Sequence, residues 1–255
     1  MTAQQEVPLR AEYGLDAPGV IRGLVLGTGA SLLAMLLMLW LATGPVHGTA
    51  AVVAGTAGVL AAVSALACGG EAVLMWRSSV SNKPKLFARE LAALAVPDKA
   101  EALDLGPGTG QLLAVLARQL GPGGHVVGID IWRTQDQSMN SKDRAETNMR
   151  AEGLADRVEL VTGDFRSLPF ADGRFDAVTA TLAVHNVADS GGRAAVLRES
   201  VRVLRPGGRL LVIDFRHTAE YAAVLRSLSR VSDVQISSRR YQIYPPVRVV
   251  TATVS

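Results

Sequence analysis

Hydrophobic and polar positions follow two different patterns along this chain. In the first third they hardly alternate at all: from Gly23 to Gly70 there is no Asp, Glu, Lys or Arg. The run is broken once, by TGPVHGT at residues 43–49, where Gly, Pro and a lone His have the chemistry of a turn. Two helices are therefore predicted, Gly23–Ala42 and Thr49–Gly70. Each has about 20 residues, enough at ~1.5 Å per residue to cross a hydrocarbon layer of ~30 Å. A helix packed on a water-soluble domain carries a polar stripe on its outer side, and neither segment has one. A cleaved signal peptide competes for the first span. It would have a shorter apolar core and a basic region close to Met1, and a second span would not follow at once.

Arg10 and Arg22 precede the first span, Arg77, Lys83, Lys85 and Arg89 follow the second, and the connecting turn has no Lys or Arg. By the positive-inside rule both termini are expected on the cytoplasmic side of an integral-membrane hairpin. Gly23 and Gly27 on the first span, and Gly55, Gly58 and Ala62 on the second, are candidates for close helix contact. Glu71 is expected at the membrane interface and His47 in the solvated turn.

After Asn82 the pattern changes. A helix over PKLFARELAALA is followed by short apolar runs that alternate with helical ones. The strands are EALDL, HVVGIDIW, RVELVTGD, FDAVTATLAV and GRLLVIDF. The helices are Gln111–Leu120, Lys142–Gly153, Arg193–Leu204 and Ala219–Arg230. Such alternation predicts a doubly wound α/β fold with a mostly parallel sheet and helices on both faces. The last two strand-like runs, VQISSRRYQIY and VRVVTATVS, have no helix between them and predict a terminal antiparallel pair. The chain thus divides into an N-terminal segment (1–22), a transmembrane hairpin (23–76) and an α/β domain (77–255).

Composition narrows the partners. The 255 residues carry a formal net charge of +3, too small and too dispersed for a nucleic-acid-binding face. The single cysteine, Cys68, lies in the apolar third, so no intrachain disulfide can form. There is no CxxC or HExxH pattern, and no metal is expected.

The candidate chemistry begins at ALDLGPGTGQ, in the first strand-to-helix turn of the α/β domain. Glycines there admit unusual backbone angles and let a ligand approach the main chain. Ligands of such sheets bind beyond the carboxyl ends of the strands, where the strand order reverses. A dinucleotide fingerprint would read GxGxxG, whereas Gly106, Gly108 and Gly110 read GxGxG, with Gln111 in place of the third glycine. Asp104, two residues ahead of the first glycine, suits a ligand with positive charge better than a pyrophosphate. Asp130 ends the second strand, where a carboxylate can accept both hydroxyls of a ribose. Taken singly, Asp104 could serve a helix cap, Asp130 could merely end a strand and Asp164 could make a turn.

Taken together, the motifs resemble those of the class I S-adenosylmethionine-dependent methyltransferases. The resemblance covers about residues 84–255. LDLGPGTG resembles the first motif of that family, GID the ribose-binding acid, VTGDFRSLPF the adenine-binding segment, FDAVTATLAVHN the fourth-strand motif and VLRPGGRLLVIDF the fifth-strand one. It implies a seven-stranded sheet and S-adenosyl-L-methionine as cofactor. The cofactor residues it implies are Asp104, Gly106, Gly108, Gly110, Asp130, Ile131, Asp164, Phe165 and Thr181, with Asp164 on the adenine amino group and Phe165 alongside.

The implied reaction is an in-line methyl transfer in which the protein aligns, excludes water and sometimes supplies a base. His185, at the carboxyl edge of the fourth strand with Asn186, is the first candidate base; a hydrogen-bonded loop histidine is the alternative. His217 follows the fifth strand in DFRHT, with Asp214 at the same edge and Thr218 a candidate helix cap. Asp136, Gln137 and Asn140 are candidates for the site mouth, and Ser141 for the cap of the next helix. Tyr13 and Asp16 could belong to a lid over the site, or to a plain linker; Tyr13 is also a candidate catalytic residue beside His185 and His217. The anchor suits a small lipophilic or lipid acceptor that reaches the site within the bilayer. Two other functions compete: a membrane-bound module that keeps the cofactor fold without turnover, and a nicotinamide-dependent oxidoreductase.

Overall fold

The computed structural model describes residues 10–133 and 140–255. These form two compact units, Leu15–Val80 and an α/β unit made of the remainder. Asp136 and Gln137 lie outside the described residues.

The first unit is a helical hairpin of α1 (Pro18–Thr43) and α2 (Thr49–Arg77). Both helices exceed the lengths expected from the charge-free run, because nothing at its ends breaks a helix. Pro18 opens α1, where a missing N–H is harmless. By length and composition both helices could cross a membrane. No residue of α1 is buried, and α2 buries chiefly small residues, Ala54, Gly58, Ala65 and Ala72, together with Met75. A Cβ on Gly58 would stand 3.4 Å from Met38 Cβ, and one on Gly27 would stand 3.7 Å from Cys68 Sγ. Gly23 and Gly55 have no such neighbour, so of the glycines expected at the contact only Gly27 and Gly58 stand in it. Ser31 and Ser64 join across the helices through their hydroxyls at 3.1 Å. Asp16, a lid candidate, belongs to this unit and bonds Ser79. A π-type turn, Ser78–Asn82, follows α2; Pro84 cannot supply the N–H that would continue the ladder.

In the α/β unit, α3 (Lys83–Leu94) lays Leu86, Phe87, Leu91 and Leu94 inward. The order then runs β1 (Glu101–Leu105), α4 (Gln111–Gln119), β2 (His125–Asp130), α5 (Lys142–Ala151), β3 (Val158–Thr162) and β4 (Phe175–Thr181). It closes with α6 (Ser190–Val203), β5 (Leu204–Asp214), α7 (Thr218–Arg226), β6 (Val231–Ile236) and β7 (Arg248–Val254). The sheet order is β3-β2-β1-β4-β5-β7-β6. β1 to β5 pair in parallel, and β7 runs antiparallel to both β5 and β6. This is the doubly wound sheet with a reversed terminal hairpin that the alternation predicts.

Side chains leave β1 alternately. Leu103 and Leu105 enter one buried cluster, and Ala102 the opposite one. No helix stands between β3 and β4; the connecting segment instead adds Phe165, Leu168 and Phe170 to the core. Ser141 caps α5 by accepting the Arg144 N–H. Asp189 caps α6 by accepting the Gly192 N–H, which starts that helix three residues earlier than the apolar pattern indicates. Thr218 caps nothing: His217 occupies the cap position of α7, at a φ of 57°, without a side-chain bond. Arg205–Gly208 bulge out within β5, so that Leu204 pairs with Phe175 and Arg209 with Ala177.

Candidate functional site

Chain order reverses at β1, which lies between β2 and β4. The crevice at the carboxyl ends of these strands is where the sequence candidates gather. The glycine loop turns there through three positive φ angles, 72° at Gly106, 57° at Gly108 and 87° at Gly110. L-side chains strain at such angles. At Gly106 space forbids them too, since a Cβ would stand 2.7 Å from that of Ala183. The bare main chain is what the loop offers to a ligand.

Two buried carboxylates flank the loop. Asp130 Oδ2 accepts the Gly108 N–H at 3.1 Å, and its Oδ1 accepts the Trp132 N–H at 2.8 Å. These two main-chain donors orient the Asp130 carboxylate at the end of β2. Asp104 accepts the Thr179 hydroxyl at 2.6 Å. Burial raises its carboxyl, Thr179 opposes the rise and Asp130 adds to it, and the net result is a pKa of about 7. A cationic ligand beside this acid would favour its ionised form.

The remaining cofactor candidates stand around the same loop. Phe165 is buried, with Cε1 3.8 Å from where a Gly106 Cβ would be. Thr181 is buried at the end of β4, and its hydroxyl has no partner among the described residues. Ile131 exposes its side chain next to Asp130. Asp164 is half-exposed and gripped by Arg166, whose guanidinium approaches both carboxylate oxygens and holds the carboxyl below the ordinary range. An adenine amino group would share Asp164 with that arginine. The pattern of five motifs gives no sign of this competitor.

Beyond β4 and β5 lies a histidine–carboxylate pair. His185 sits in a short turn after β4, and its Nδ1 is 2.9 Å from Asp214 Oδ1, close but not aligned as a hydrogen bond. Asp214 is fully buried and accepts from the His185 N–H, the Phe215 N–H and the Tyr221 hydroxyl. The Phe215 ring packs edge-on against the imidazole, with centroids 4.5 Å apart. Burial raises the Tyr221 phenol, and the neighbouring Asp214 adds to this, so Tyr221 serves as donor. His217 is more exposed and stands 3.5 Å from Glu220 Oε2 through Nδ1. Asn140 is buried and donates to the Arg133 carbonyl, while its Oδ1 has no partner among the described residues.

Tyr13 lies near the end of α5. Its hydroxyl donates to Glu152 at 2.7 Å, just beyond α5, and burial raises its pKa. Its main chain instead meets the glycine loop, where Thr109 Oγ1 donates to the Tyr13 carbonyl. Asn148, absent from the sequence candidates, lies between the two. The signal for it was an amide on the inward stripe of α5, between Ala145 and Met149.

This donor set fits S-adenosylmethionine: a side-chain-free cradle, a buried acid at the loop, a second acid oriented at the end of β2 and an unpaired hydroxyl. Comparison with known proteins agrees. Residues 103–212 match the family model described as a methyltransferase domain. Over 131 residues, 51% of this chain and 45% of the relative, the chain is 40% identical to the ubiquinone/menaquinone biosynthesis C-methyltransferase of Vibrio parahaemolyticus. It is 28% identical to the demethylmenaquinone methyltransferase of Lactobacillus johnsonii over 70% of this chain and 69% of that one. At 40% identity the alignment spans about half the length of the curated relative. The crystal structure of a SAM-dependent methyltransferase from Aquifex aeolicus superposes with a TM-score of 0.53 at 19% identity, covering 68% of this chain and 89% of that one. That likeness is one of fold.

Proposed function

We infer that the α/β unit is a class I S-adenosylmethionine-dependent methyltransferase domain and that the chain is a membrane-anchored enzyme that methylates a lipophilic acceptor, a ring carbon of a demethylated quinol. The observation that carries the methyl-transfer reading is the glycine loop with Asp104 and Asp130 beside it, at the sheet's switch point and inside the matched segment. The acceptor class follows from what the relatives' names specify. The hairpin supports it, because its two apolar helices would keep the domain at the surface of the bilayer in which such an acceptor dissolves. Arg and Lys at the outer ends of the hairpin favour a cytoplasmic catalytic domain.

In this reading Asp130 accepts from the ribose of the cofactor and Asp104 faces its cationic end. Phe165 and Ile131 bracket the purine, and Thr181 offers its free hydroxyl. The bound cofactor supplies an electrophilic methyl group. His185 takes the proton of an acceptor hydroxyl on Nε2, while Nδ1 is kept toward Asp214. Loss of that proton raises electron density on the neighbouring ring carbon. Overall that carbon exchanges a C–H bond for a C–CH3 bond, and one proton is released. His217 lies at the rim of the same edge and is assigned to contact with the acceptor.

The test is incubation of the full chain, in detergent or vesicles, with methyl-labelled cofactor and a reduced demethylated quinone. The expected outcome is label in a lipid-soluble product that carries one more methyl group. Absence of label there, from a chain that binds the cofactor, would overturn the acceptor assignment.

A further inference from the structure

Three alternate glycines give the loop between β1 and α4 little conformation of its own, since each visits many backbone states when unbound. Something outside the loop must select one. Asp130 does so at Gly108. At Thr109 the hold comes from the other end of the chain.

Asn148 is fully buried, and its amide makes three hydrogen bonds. Its Nδ2 donates to the Thr109 carbonyl at 2.8 Å and to the Glu12 carbonyl at 2.9 Å. Its Oδ1 accepts the Glu12 N–H at 2.8 Å. The circuit closes through Thr109, whose hydroxyl donates to the Tyr13 carbonyl at 2.8 Å. Outside the circuit, Arg144 pairs with the Glu12 carboxylate at 3.0 Å and the Tyr13 hydroxyl reaches Glu152. Both peptide groups of Glu12 are thus read by one side chain, in the manner of a strand partner. That side chain has no exposure and so no water to replace a lost bond.

We propose that the strap Arg10–Gly14 is a working part of the cofactor site, with Asn148 as a positioning residue that uses the strap to hold the glycine loop in its binding form. The inference rests on the reading that this loop takes S-adenosylmethionine. Without the strap, Asn148 keeps a buried donor and acceptor unpaired, and the Thr109 hydroxyl loses the Tyr13 carbonyl. The loop then relaxes to satisfy them and departs from the geometry in which Gly108 meets Asp130. The strap therefore affects the cofactor before it affects the acceptor.

The experiment uses the full chain in detergent and reads two quantities: cofactor affinity by calorimetry and hydrogen exchange at the amides of residues 108–110. Glu12→Pro removes the N–H that Asn148 accepts. Asn148→Asp keeps that acceptor and removes both donors. Each is expected to raise the cofactor Kd about tenfold and to speed exchange in the loop, with KM for the acceptor changing less than the cofactor Kd. Glu12→Ala keeps the N–H and loses only the Arg144 pair; it should raise Kd by no more than about threefold. Melting curves establish that each variant is folded, and should Glu12→Pro fail to fold, Asn148→Asp carries the test alone. Wild-type affinity and loop protection in Asn148→Asp, or an equal loss in the Ala and Pro variants, would overturn the proposal. If the wild-type chain itself binds no S-adenosylmethionine, it is the cofactor reading that fails.

Discussion

The Gly108 N–H donates to Asp130 Oδ2 across 22 residues of sequence, joining the middle of the glycine loop to the end of β2. One carboxylate therefore shapes the loop and faces the crevice at once. Asp130→Ala should weaken binding of S-adenosylmethionine by ~1–3 kcal/mol, the range for a buried group losing a charged partner. Calorimetry checks it, and an unchanged affinity would remove Asp130 from the ribose.

Asp104 makes binding depend on pH. Its carboxyl in the fold titrates near 7, whereas an exposed Asp titrates near 3.8. The folded protein thus holds one more proton than the unfolded chain between those values, and its stability falls as pH rises through that window. At about pH 8 the full cost, at most ~4 kcal/mol, is present. Asp104→Asn should melt higher than wild type at about pH 8 and lose this slope. Affinity for the cationic cofactor should rise through pH 7 in wild type and stay flat in the variant. Parallel titrations of the two proteins decide the matter.

At Gly106 both φ and space exclude a side chain. Gly106→Ala should destabilise the fold by ~1–3 kcal/mol and abolish cofactor binding. Denaturant melts and calorimetry on the same sample separate the two effects.

His185→Gln should lower kcat by ~10²–10⁴, the usual worth of a general base, and leave the cofactor Kd near its wild-type value. Asp214→Asn should act in the same direction, because it takes the negative charge away from Nδ1 and weakens the acceptor of the His185 N–H, the Phe215 N–H and the Tyr221 hydroxyl. Single-turnover rates with saturating cofactor measure both. A fall in cofactor affinity with unchanged turnover would return His185 to the role of a loop histidine.

The hairpin yields a fractionation prediction. Alkaline carbonate should leave the chain in the membrane pellet. Extraction into the supernatant would contradict a spanning hairpin.

Much of the fold is legible in the pattern alone, because the central strands β1, β2 and β4 are almost wholly buried and read as short, mainly apolar runs. EALDL coincides with β1, and HVVGIDIW runs two residues past the end of β2. Caps are harder to read. Asp189 begins α6 through a side-chain bond that apolar periodicity cannot register, and Thr218 looks like a cap but lies inside the helix. The glycine loop and its acids can be recognised because their spacing is local. Asn148 and Glu12 are 136 residues apart, and nothing in the composition of either segment announces the other. The Arg166 grip on Asp164 is visible only once both side chains have directions.

The most direct measurement is calorimetry of the full chain with S-adenosylmethionine, its demethylated homocysteine product and a nicotinamide dinucleotide. Saturable heat and a raised melting temperature with the first two, and neither with the third, is the predicted result. Binding of the nicotinamide compound alone would contradict it.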